Sequence, residues 1–142
     1  MSDKDHVKVF HHTDRESAKK IMQSGKILQS TDTTNDAVAG KGTYVTKYGP
    51  DKSRAEIAKN NYDGKSKFYE SKIHEGKAEV AFEMKVPSHK VTDHSKDVKG
   101  RNVHVYKGDI NLHSVKDLKV HVRETGSNKY QTHEPTKQGS KK

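Results

Sequence analysis

Apolar residues recur at every second position in several stretches of this chain, which is the spacing of a strand with one buried face. The clearest stretch is 78–86, and Pro87 ends it because proline cannot donate to a sheet ladder. The apolar face of that stretch contains Ala78, Val80, Phe82, Met84 and Val86. Shorter segments at 7–10, 103–106 and 115–122 also have an extended pattern. We therefore predict strands at these places.

Two segments between the strands carry helix signals. Thr13 and Glu16 are spaced as a capping box, so we predict a helix over 14–24 that Gly25 ends in a left-handed conformation. Asp51 follows a Gly-Pro turn and is predicted to cap a second helix. The order is strand, helix, strand or turn, strand, helix and then three mostly extended segments. This order is typical of an α+β fold and not of alternating βαβ units.

Composition limits the size of the core and suggests where the folded part ends. The chain has 142 residues, of which 28% are apolar and 33% are charged, so we expect one domain with a modest core. Aliphatic residues are absent after Thr125, where Gly, Ser, Asn, Gln and Lys dominate. We therefore predict a flexible N-terminus at 1–6, a folded domain at 7–124 and a disordered basic tail at 125–142.

The formal net charge of +9 favours polyanionic partners. Nucleic acid, an acidic protein surface and the pyrophosphate of a dinucleotide are all attracted by such a field, although the charge also serves solubility. Lysine outnumbers arginine, which disfavours sequence-specific base reading because arginine is the usual residue for it. The charge is thus compatible with a nucleic-acid substrate, and less so with a sequence-specific binder.

The absence of cysteine excludes several kinds of chemistry. With no cysteine, the chain can form no disulfide, no thiolate metal site and no thiol nucleophile. The ten histidines show no H-E-x-x-H pair or comparable helical spacing, so no metal site is predicted. We also expect no membrane segment, a cytoplasmic location and a monomer, although a toxin segment cut from a secreted precursor would have the same composition.

The strongest local motif is the stretch Gly40-Lys-Gly-Thr-Tyr-Val-Thr46. Two glycines one residue apart permit a sharp turn and a close approach of the backbone to a ligand. The residues that follow form a short predicted strand, and Tyr44 lies where the turn enters it. A glycine pair alone marks only a tight turn in most proteins, so its meaning depends on what accompanies it.

Here the glycine motif accompanies His11, which ends the first predicted strand in Val9-Phe-His-His-Thr13. The combination resembles the opening of the diphtheria-toxin and poly(ADP-ribose)-polymerase branch of the ADP-ribosyltransferases. In particular, it resembles the toxin-type family named for its His-Tyr-Asp signature. The resemblance implies an ADP-ribosyltransferase-like split β-sandwich with small flanking helices and a cleft for NAD. It further implies NAD as substrate and a mono-ADP-ribosyltransferase or NAD glycohydrolase, with a protein or nucleic-acid acceptor.

The resemblance also implies roles for individual residues. His11 would donate a hydrogen bond to the adenosine ribose, Tyr44 would stack on the nicotinamide, and Ser53 would hold its carboxamide. Tyr62 would supply a second aromatic wall. Further positions assigned to NAD binding are His12, Thr13, Gly42 and Asn102. The competing interpretations are structural: a sheet-edge histidine, a core tyrosine, a serine at a helix N-terminus and a tyrosine in a surface turn.

The acidic member of the signature has two candidates. Loss of nicotinamide from NAD passes through an oxocarbenium-like transition state, which a nearby carboxylate stabilises. Polymerase-type relatives place a glutamate at the start of the strand that corresponds to 103–106, but here that place holds Arg101 and Asn102. Asp109, which follows that strand, is our first choice and Asp63 the second. Either could be an ordinary turn aspartate beside glycine.

Two other functions remain open from the sequence. The related RNA 2'-phosphotransferases use histidine and arginine on the same scaffold, and Arg101 together with the positive charge is compatible with that activity. A catalytically inactive module that binds NAD, ADP-ribose or nucleic acid is the other, since no acid precedes Val103.

Overall fold

Antiparallel sheets dominate the part of the chain that the structure describes. The computed structural model describes residues 5–29, 42–61, 68–95, 102–127 and 129–134. Its elements, in chain order, are β1 (His6–Thr13), α1 (Arg15–Ser24), β2 (Lys26–Ile27), β3 (Thr43–Val45), α2 (Arg54–Asn61), α3 (Phe68–His74), β4 (Val80–Pro87), β5 (Val91–Asp93), β6 (His104–Tyr106), β7 (Ile110–Asn111), β8 (Lys116–Arg123) and β9 (Tyr130–His133).

The strands form a main sheet, a small sheet and a two-stranded ribbon. The main sheet has the order β1-β4-β8-β9, the small sheet has the order β3-β6-β5, and β2 pairs with β7. Neighbouring strands are antiparallel throughout these sheets. This mixture of sheets and short helices confirms the predicted α+β class.

The core lies on one face of the main sheet, where the predicted alternation is confirmed. Val9 of β1 and Phe82, Met84 and Val86 of β4 are fully buried. They form one cluster with residues of the small sheet and the ribbon, including Val45, Tyr106 and Ile110. The limited number of apolar residues is therefore concentrated between the sheets, where each removes the most apolar surface from water.

The first helix begins one residue later than the predicted capping box requires. Thr13 is still the last residue of β1, paired with Val80, and Asp14 is the N-cap. The Asp14 carboxylate accepts from the backbone N–H of Ser17 at 2.6 Å and from the Lys77 ammonium at 2.7 Å. The capping box was thus a wrong interpretation, because strand pairing fixes Thr13. The C-terminal prediction is confirmed, since Gly25 has φ 79° and its N–H donates to the Ile21 carbonyl.

The second helix is capped by Ser53 and not by Asp51. The Ser53 hydroxyl accepts from the Glu56 N–H at 3.2 Å, while the Glu56 carboxylate accepts from the Ser53 N–H at 2.9 Å. This reciprocal pair is a capping box at the start of α2. The sequence spacing Ser-x-x-Glu was available as a signal, and the Gly-Pro turn drew the prediction two residues too early.

Two strands lie where the sequence predicted none. The segment 88–100 was expected to be a loop, but it contains a short 3-10 helix (Ser88–Lys90) and then β5. Within the predicted disordered tail, β9 pairs with β8 through four residues, all of them exposed. β9 is held by ladder hydrogen bonds with neither face in the core, so it has no hydrophobic alternation to detect, and β5 is three residues long with Val91 as its one core contact.

An ion pair links α2 to the end of the main sheet at which β4 begins. The Arg54 guanidinium contacts the Glu79 carboxylate, with Nη2 and Oε1 at 2.9 Å, and it also donates to the Ser127 and Glu124 carbonyls. The Arg54 guanidinium lowers the pKa of the Glu79 carboxyl by donating to it. One arginine therefore connects the helix, the start of β4 and the turn between β8 and β9.

Among the described residues, one backbone pair joins the main and small sheets. Phe10 of β1 and Thr46, just after β3, exchange N–H···O bonds of 2.8 and 2.9 Å. His11 follows Phe10, and Tyr44 precedes Thr46 by two residues. The pair therefore brings the two sequence motifs together.

Gly42 allows β3 to approach β6 closely. Its φ is 142°, and an added Cβ would overlap the Val105 side chain and crowd the Tyr106 carbonyl. The sequence predicted a close approach of this glycine motif to a ligand, whereas the close approach seen at Gly42 is to β6. Gly40 lies outside the described residues.

We expect Gly42→Ala to lower the free energy of unfolding by about 2 kcal/mol or more, because backbone strain and steric overlap add. Gly126→Ala is the matched control, since Gly126 also has positive φ, at 78°, but nothing lies within 4 Å of its added Cβ. Strain alone costs roughly 1 kcal/mol there. Urea unfolding followed by circular dichroism measures both variants, and equal losses would contradict the packing role of Gly42.

Candidate functional site

A hydrogen bond joins the two motifs that the sequence singled out. The His11 ring lies with Nδ1 3.1 Å from the Tyr44 carbonyl oxygen, across 33 residues of chain. A carbonyl only accepts, so Nδ1 carries the proton and Nε2 of the neutral ring carries a lone pair. Burial lowers the pKa of His11, and donation to the Tyr44 carbonyl opposes this in part. His11 is therefore a neutral imidazole with an acceptor nitrogen available.

Tyr44 lies on the side of β3 that faces away from the core. Thr43 and Val45 are 1% and 4% exposed, whereas Tyr44 between them is partly exposed. Since successive strand residues point to opposite faces, the phenol is directed away from the packed interior. The hydrogen bond from His11 holds the Tyr44 main chain. It therefore fixes both β3 and the point from which the phenol ring projects.

Asp109 lies in the turn that leads from β6 to β7. One carboxylate oxygen accepts from the Gln29 N–H at 2.7 Å, and the residue is exposed. The preceding Gly108 carbonyl accepts from the Thr43 hydroxyl at 2.7 Å, which ties this turn to the start of β3. Asp109 is thus held next to the strand that carries Tyr44. The second acidic candidate, Asp63, and the second aromatic candidate, Tyr62, lie outside the described residues.

Asn102 belongs to a network that closes the far end of β3. Its amide oxygen accepts from the Lys47 N–H at 2.7 Å and the Thr46 hydroxyl at 3.0 Å. Asn60 of α2, which is 3% exposed, donates to the Asn102 carbonyl at 2.9 Å and to the Thr46 hydroxyl at 3.0 Å. Asn102 occupies the place where polymerase-type relatives carry a glutamate. Here it helps to hold β3, α2 and β6 together.

The other predicted positions lie around this centre. His12 points to the opposite side of β1 from His11, where its ring stacks on Phe10 and Nε2 lies 2.8 Å from the Tyr48 carbonyl oxygen. Thr13 is buried in β1. Ser53 caps α2, so it stands immediately before the helix and not inside it.

Comparison with known families decides the assignment. The model of the family described as "HYD1 signature containing ADP-ribosyltransferase" matches residues 9–114. The chain belongs to this family. No curated protein and no solved structure matches it. The family suggested by the histidine and tyrosine motifs is therefore confirmed, and the matched range includes His11, Tyr44 and Asp109.

Nothing in the sequence indicated the role of Asn60. It reads as a turn residue that ends a helix, because asparagine is common there. In the structure its buried amide connects three elements beside Tyr44. Only proximity to Asn102 and Thr46, which lie 42 and 14 residues away, reveals that role.

Membrane and metal signals are absent from the described part of the chain. None of its helices there has the length and apolar character needed to cross a bilayer. Nor do the described residues bring three or more histidine, aspartate or glutamate side chains together in a way that could hold a metal ion.

Burial of His12 makes the stability of the domain depend on pH. Desolvation lowers the pKa of His12 to about 4, a shift that the bond to the Tyr48 carbonyl opposes and the nearby His11, Arg123 and His121 reinforce. The ordinary value is 6.5. The unfolded chain therefore binds the extra proton first as the pH falls, and the native state is disfavoured.

We expect the free energy of unfolding contributed by neutral His12 to be complete above pH 6.5 and to be lost progressively from pH 6.5 towards pH 4. The loss amounts to about 3 kcal/mol from this one group. His12→Gln keeps an amide donor for the Tyr48 carbonyl and does not titrate. Urea unfolding at several pH values should therefore show a shallower acid loss in the variant, and an unchanged slope would contradict the assignment.

Proposed function

We propose that this protein is a mono-ADP-ribosyltransferase that cleaves the nicotinamide–ribose bond of NAD and transfers ADP-ribose to an acceptor. Membership of the ADP-ribosyltransferase family supports the general chemistry. The observation that carries the proposal is the His11–Tyr44 hydrogen bond, since it joins the two aromatic members of the signature at the junction of the sheets. With water as the acceptor, the same site would be an NAD glycohydrolase.

NAD binds, in this proposal, in a cleft of a split β-sandwich formed by the main and small sheets. Two sheets joined at one backbone pair diverge from that point because each twists. The Phe10–Thr46 pair is such a point, and it lies beside both His11 and Tyr44. A dinucleotide in the cleft would therefore reach both signature residues.

His11 accepts a hydrogen bond from a ribose hydroxyl of NAD through Nε2. The sequence suggested that the ring donates to the ribose, but its Nδ1–H is directed to the Tyr44 carbonyl. A neutral imidazole offers one donor and one acceptor, so the remaining nitrogen takes the opposite role. The lowered pKa of His11 supports this neutral form.

Tyr44 packs its ring against the nicotinamide, a contact that contributes roughly 0.5–1.5 kcal/mol beyond area burial. Asp109 stabilises the positive charge that develops on the ribose as nicotinamide leaves. Its carboxylate is held by the Gln29 N–H at one oxygen, which orients the group beside β3. Asp63 is the alternative for this role.

The acceptor is a protein or a nucleic acid in our proposal. The net charge of +9 favours an anionic surface on either kind of molecule. If long-range charge attraction brings the acceptor to the enzyme, raising the salt concentration should slow the transfer, because salt screens that attraction. An encounter that depends on short-range contacts should be little affected.

We expect His11→Ala and Tyr44→Ala to lower kcat/KM for nicotinamide release by between about 2-fold and 10-fold each, the loss of one hydrogen bond or one stack. Asp109→Asn should lower kcat by about 100-fold or more, the usual effect of removing a group that stabilises transition-state charge. Labelled NAD and chromatographic separation of free nicotinamide provide the measurement.

Matched controls for these variants are His113→Ala and Asp117→Asn, which alter exposed residues that have no role in the proposed site. Both should retain wild-type turnover. Unchanged turnover in both His11→Ala and Tyr44→Ala would reject the site, and unchanged turnover in Asp109→Asn alone would move the acidic role to Asp63.

Ser53 offers a test that separates a cap from a substrate contact. Aspartate is as good an N-cap as serine, so Ser53→Asp should keep the free energy of unfolding within about 0.5 kcal/mol of wild type. If the hydroxyl also holds the carboxamide, the variant should raise KM for NAD at least several-fold. Ser53→Ala, which loses the cap, should destabilise by about 1 kcal/mol. A normal KM in Ser53→Asp would leave capping as the role of Ser53.

A second candidate function is an inactive module that binds NAD or ADP-ribose. The specific observation in its favour is Asn102, an amide engaged in a structural network where polymerase-type relatives have the acid. Such a module would bind ADP-ribose in calorimetry and leave labelled NAD intact.

A further inference from the structure

An ordered group of an acid, an imidazole and a hydroxyl lies on the main sheet outside the site described above. It consists of Glu83 of β4, His121 of β8 and Thr132 of β9. The Glu83 carboxylate lies 2.7 Å from His121 Nε2, and the Thr132 hydroxyl oxygen lies 2.8 Å from His121 Nδ1. The imidazole therefore bridges a carboxylate and a hydroxyl with good hydrogen-bond distances at both nitrogens.

The proton positions follow from the partners. The Glu83 carboxylate accepts, so the neutral His121 ring carries its proton on Nε2. Nδ1 then holds the lone pair and accepts from the Thr132 O–H. This is the polarity of an activated hydroxyl, in which the base next to the hydroxyl is itself oriented by an acid.

Burial and contacts fix the base and leave the hydroxyl accessible. His121 and Glu83 are 6% and 9% exposed, whereas Thr132 is exposed on β9, an edge strand. The Tyr130 ring meets the imidazole edge-on with centroids 5.3 Å apart, and the Lys8 ammonium lies 3.6 Å from the second Glu83 oxygen. A buried base thus contacts the hydroxyl of an exposed residue.

We propose that Thr132 is an acceptor of ADP-ribose, so that the enzyme modifies copies of itself. The inference rests on the proposed function. A threonine hydroxyl is a weak nucleophile unless an adjacent base takes its proton, and His121 supplies that base. An acceptor hydroxyl must be accessible and activated. The site that binds NAD provides the groups that cleave the nicotinamide–ribose bond.

The transfer balances with no additional reactant. The Thr132 Oγ forms a bond to C1 of the nicotinamide-bearing ribose, and the ribose–nitrogen bond breaks with its electron pair going to nicotinamide. Nicotinamide leaves as a neutral molecule. The hydroxyl proton passes to His121 Nδ1, where the imidazolium is stabilised by Glu83, and is then released to solvent.

The reaction takes place between two molecules. Three strand spacings, about 14 Å, separate β9 from β1 across the main sheet. His11 lies on the face of β1 that also carries the buried Val9, whereas His121 lies on the opposite face, near Phe10. A single chain therefore cannot present its own Thr132 to its own His11–Tyr44 pair.

The experiment incubates the full chain with NAD, measures nicotinamide release and maps the attached ADP-ribose by mass spectrometry. We expect Thr132 to carry the label, with an initial rate that rises with the square of protein concentration. Thr132→Val should lose at least 90% of the self-labelling and retain nicotinamide release, while Thr132→Ser should retain both. Glu83→Gln, which can still accept from His121, should label at least tenfold more slowly.

Thr92→Val is the matched control, since Thr92 is an exposed threonine on the edge strand β5 and no histidine among the described residues bonds to it. It should label like the wild type. Nicotinamide release with the label on other residues, or self-labelling with an initial rate first-order in protein, would overturn the inference and leave the proposed function intact. Absence of nicotinamide release would instead overturn the proposed function, and the inference with it.

Discussion

The backbone pair between Phe10 and Thr46 is the constraint on which the rest of the site depends. It is the point where β1 of the main sheet meets the strand of the small sheet, through two N–H···O bonds of 2.8 and 2.9 Å. Because strands are stiff over a few residues, fixing this pair also fixes His11 and Tyr44 beside it. The amides of Asn60 and Asn102 bond to Thr46, so hydrogen bonds support the joint alongside the core packing of Val9 and Val45.

The fold relies on polar contacts between its elements because only 28% of the residues are apolar. Buried polar groups must be paired to be tolerated, and here the pairs connect distant segments. His12 reaches the Tyr48 carbonyl, Arg54 reaches Glu79, and His121 lies between Glu83 and Thr132. Several histidines are buried in low-dielectric surroundings for the same reason. Burial lowers the pKa of His11 and keeps its ring neutral, and it makes the fold sensitive to acid.

Elements that bury one face were predictable, and those held by polar contacts were not. The alternation at 78–86 predicted β4 because each apolar residue in it enters the core. By contrast, β9 has no buried face. Asp14 and not Thr13 caps α1, because Thr13 is still paired within β1. Local spacing reveals periodic burial, whereas pairing between distant strands such as β1 and β4 leaves no pattern in either segment.

The sequence by itself determined the α+β class, the main core strand and the family, because these depend on short-range periodicity and on side chains in fixed local order. The tertiary structure decided which groups meet. It turned the His11 donor towards the Tyr44 carbonyl, occupied Asn102 in a structural network and set Thr132 against His121. These contacts depend on how strands are paired and aligned, whether far apart as for His11 and Tyr44 or adjacent as for His121 and Thr132, and no residue in either strand specifies that alignment alone.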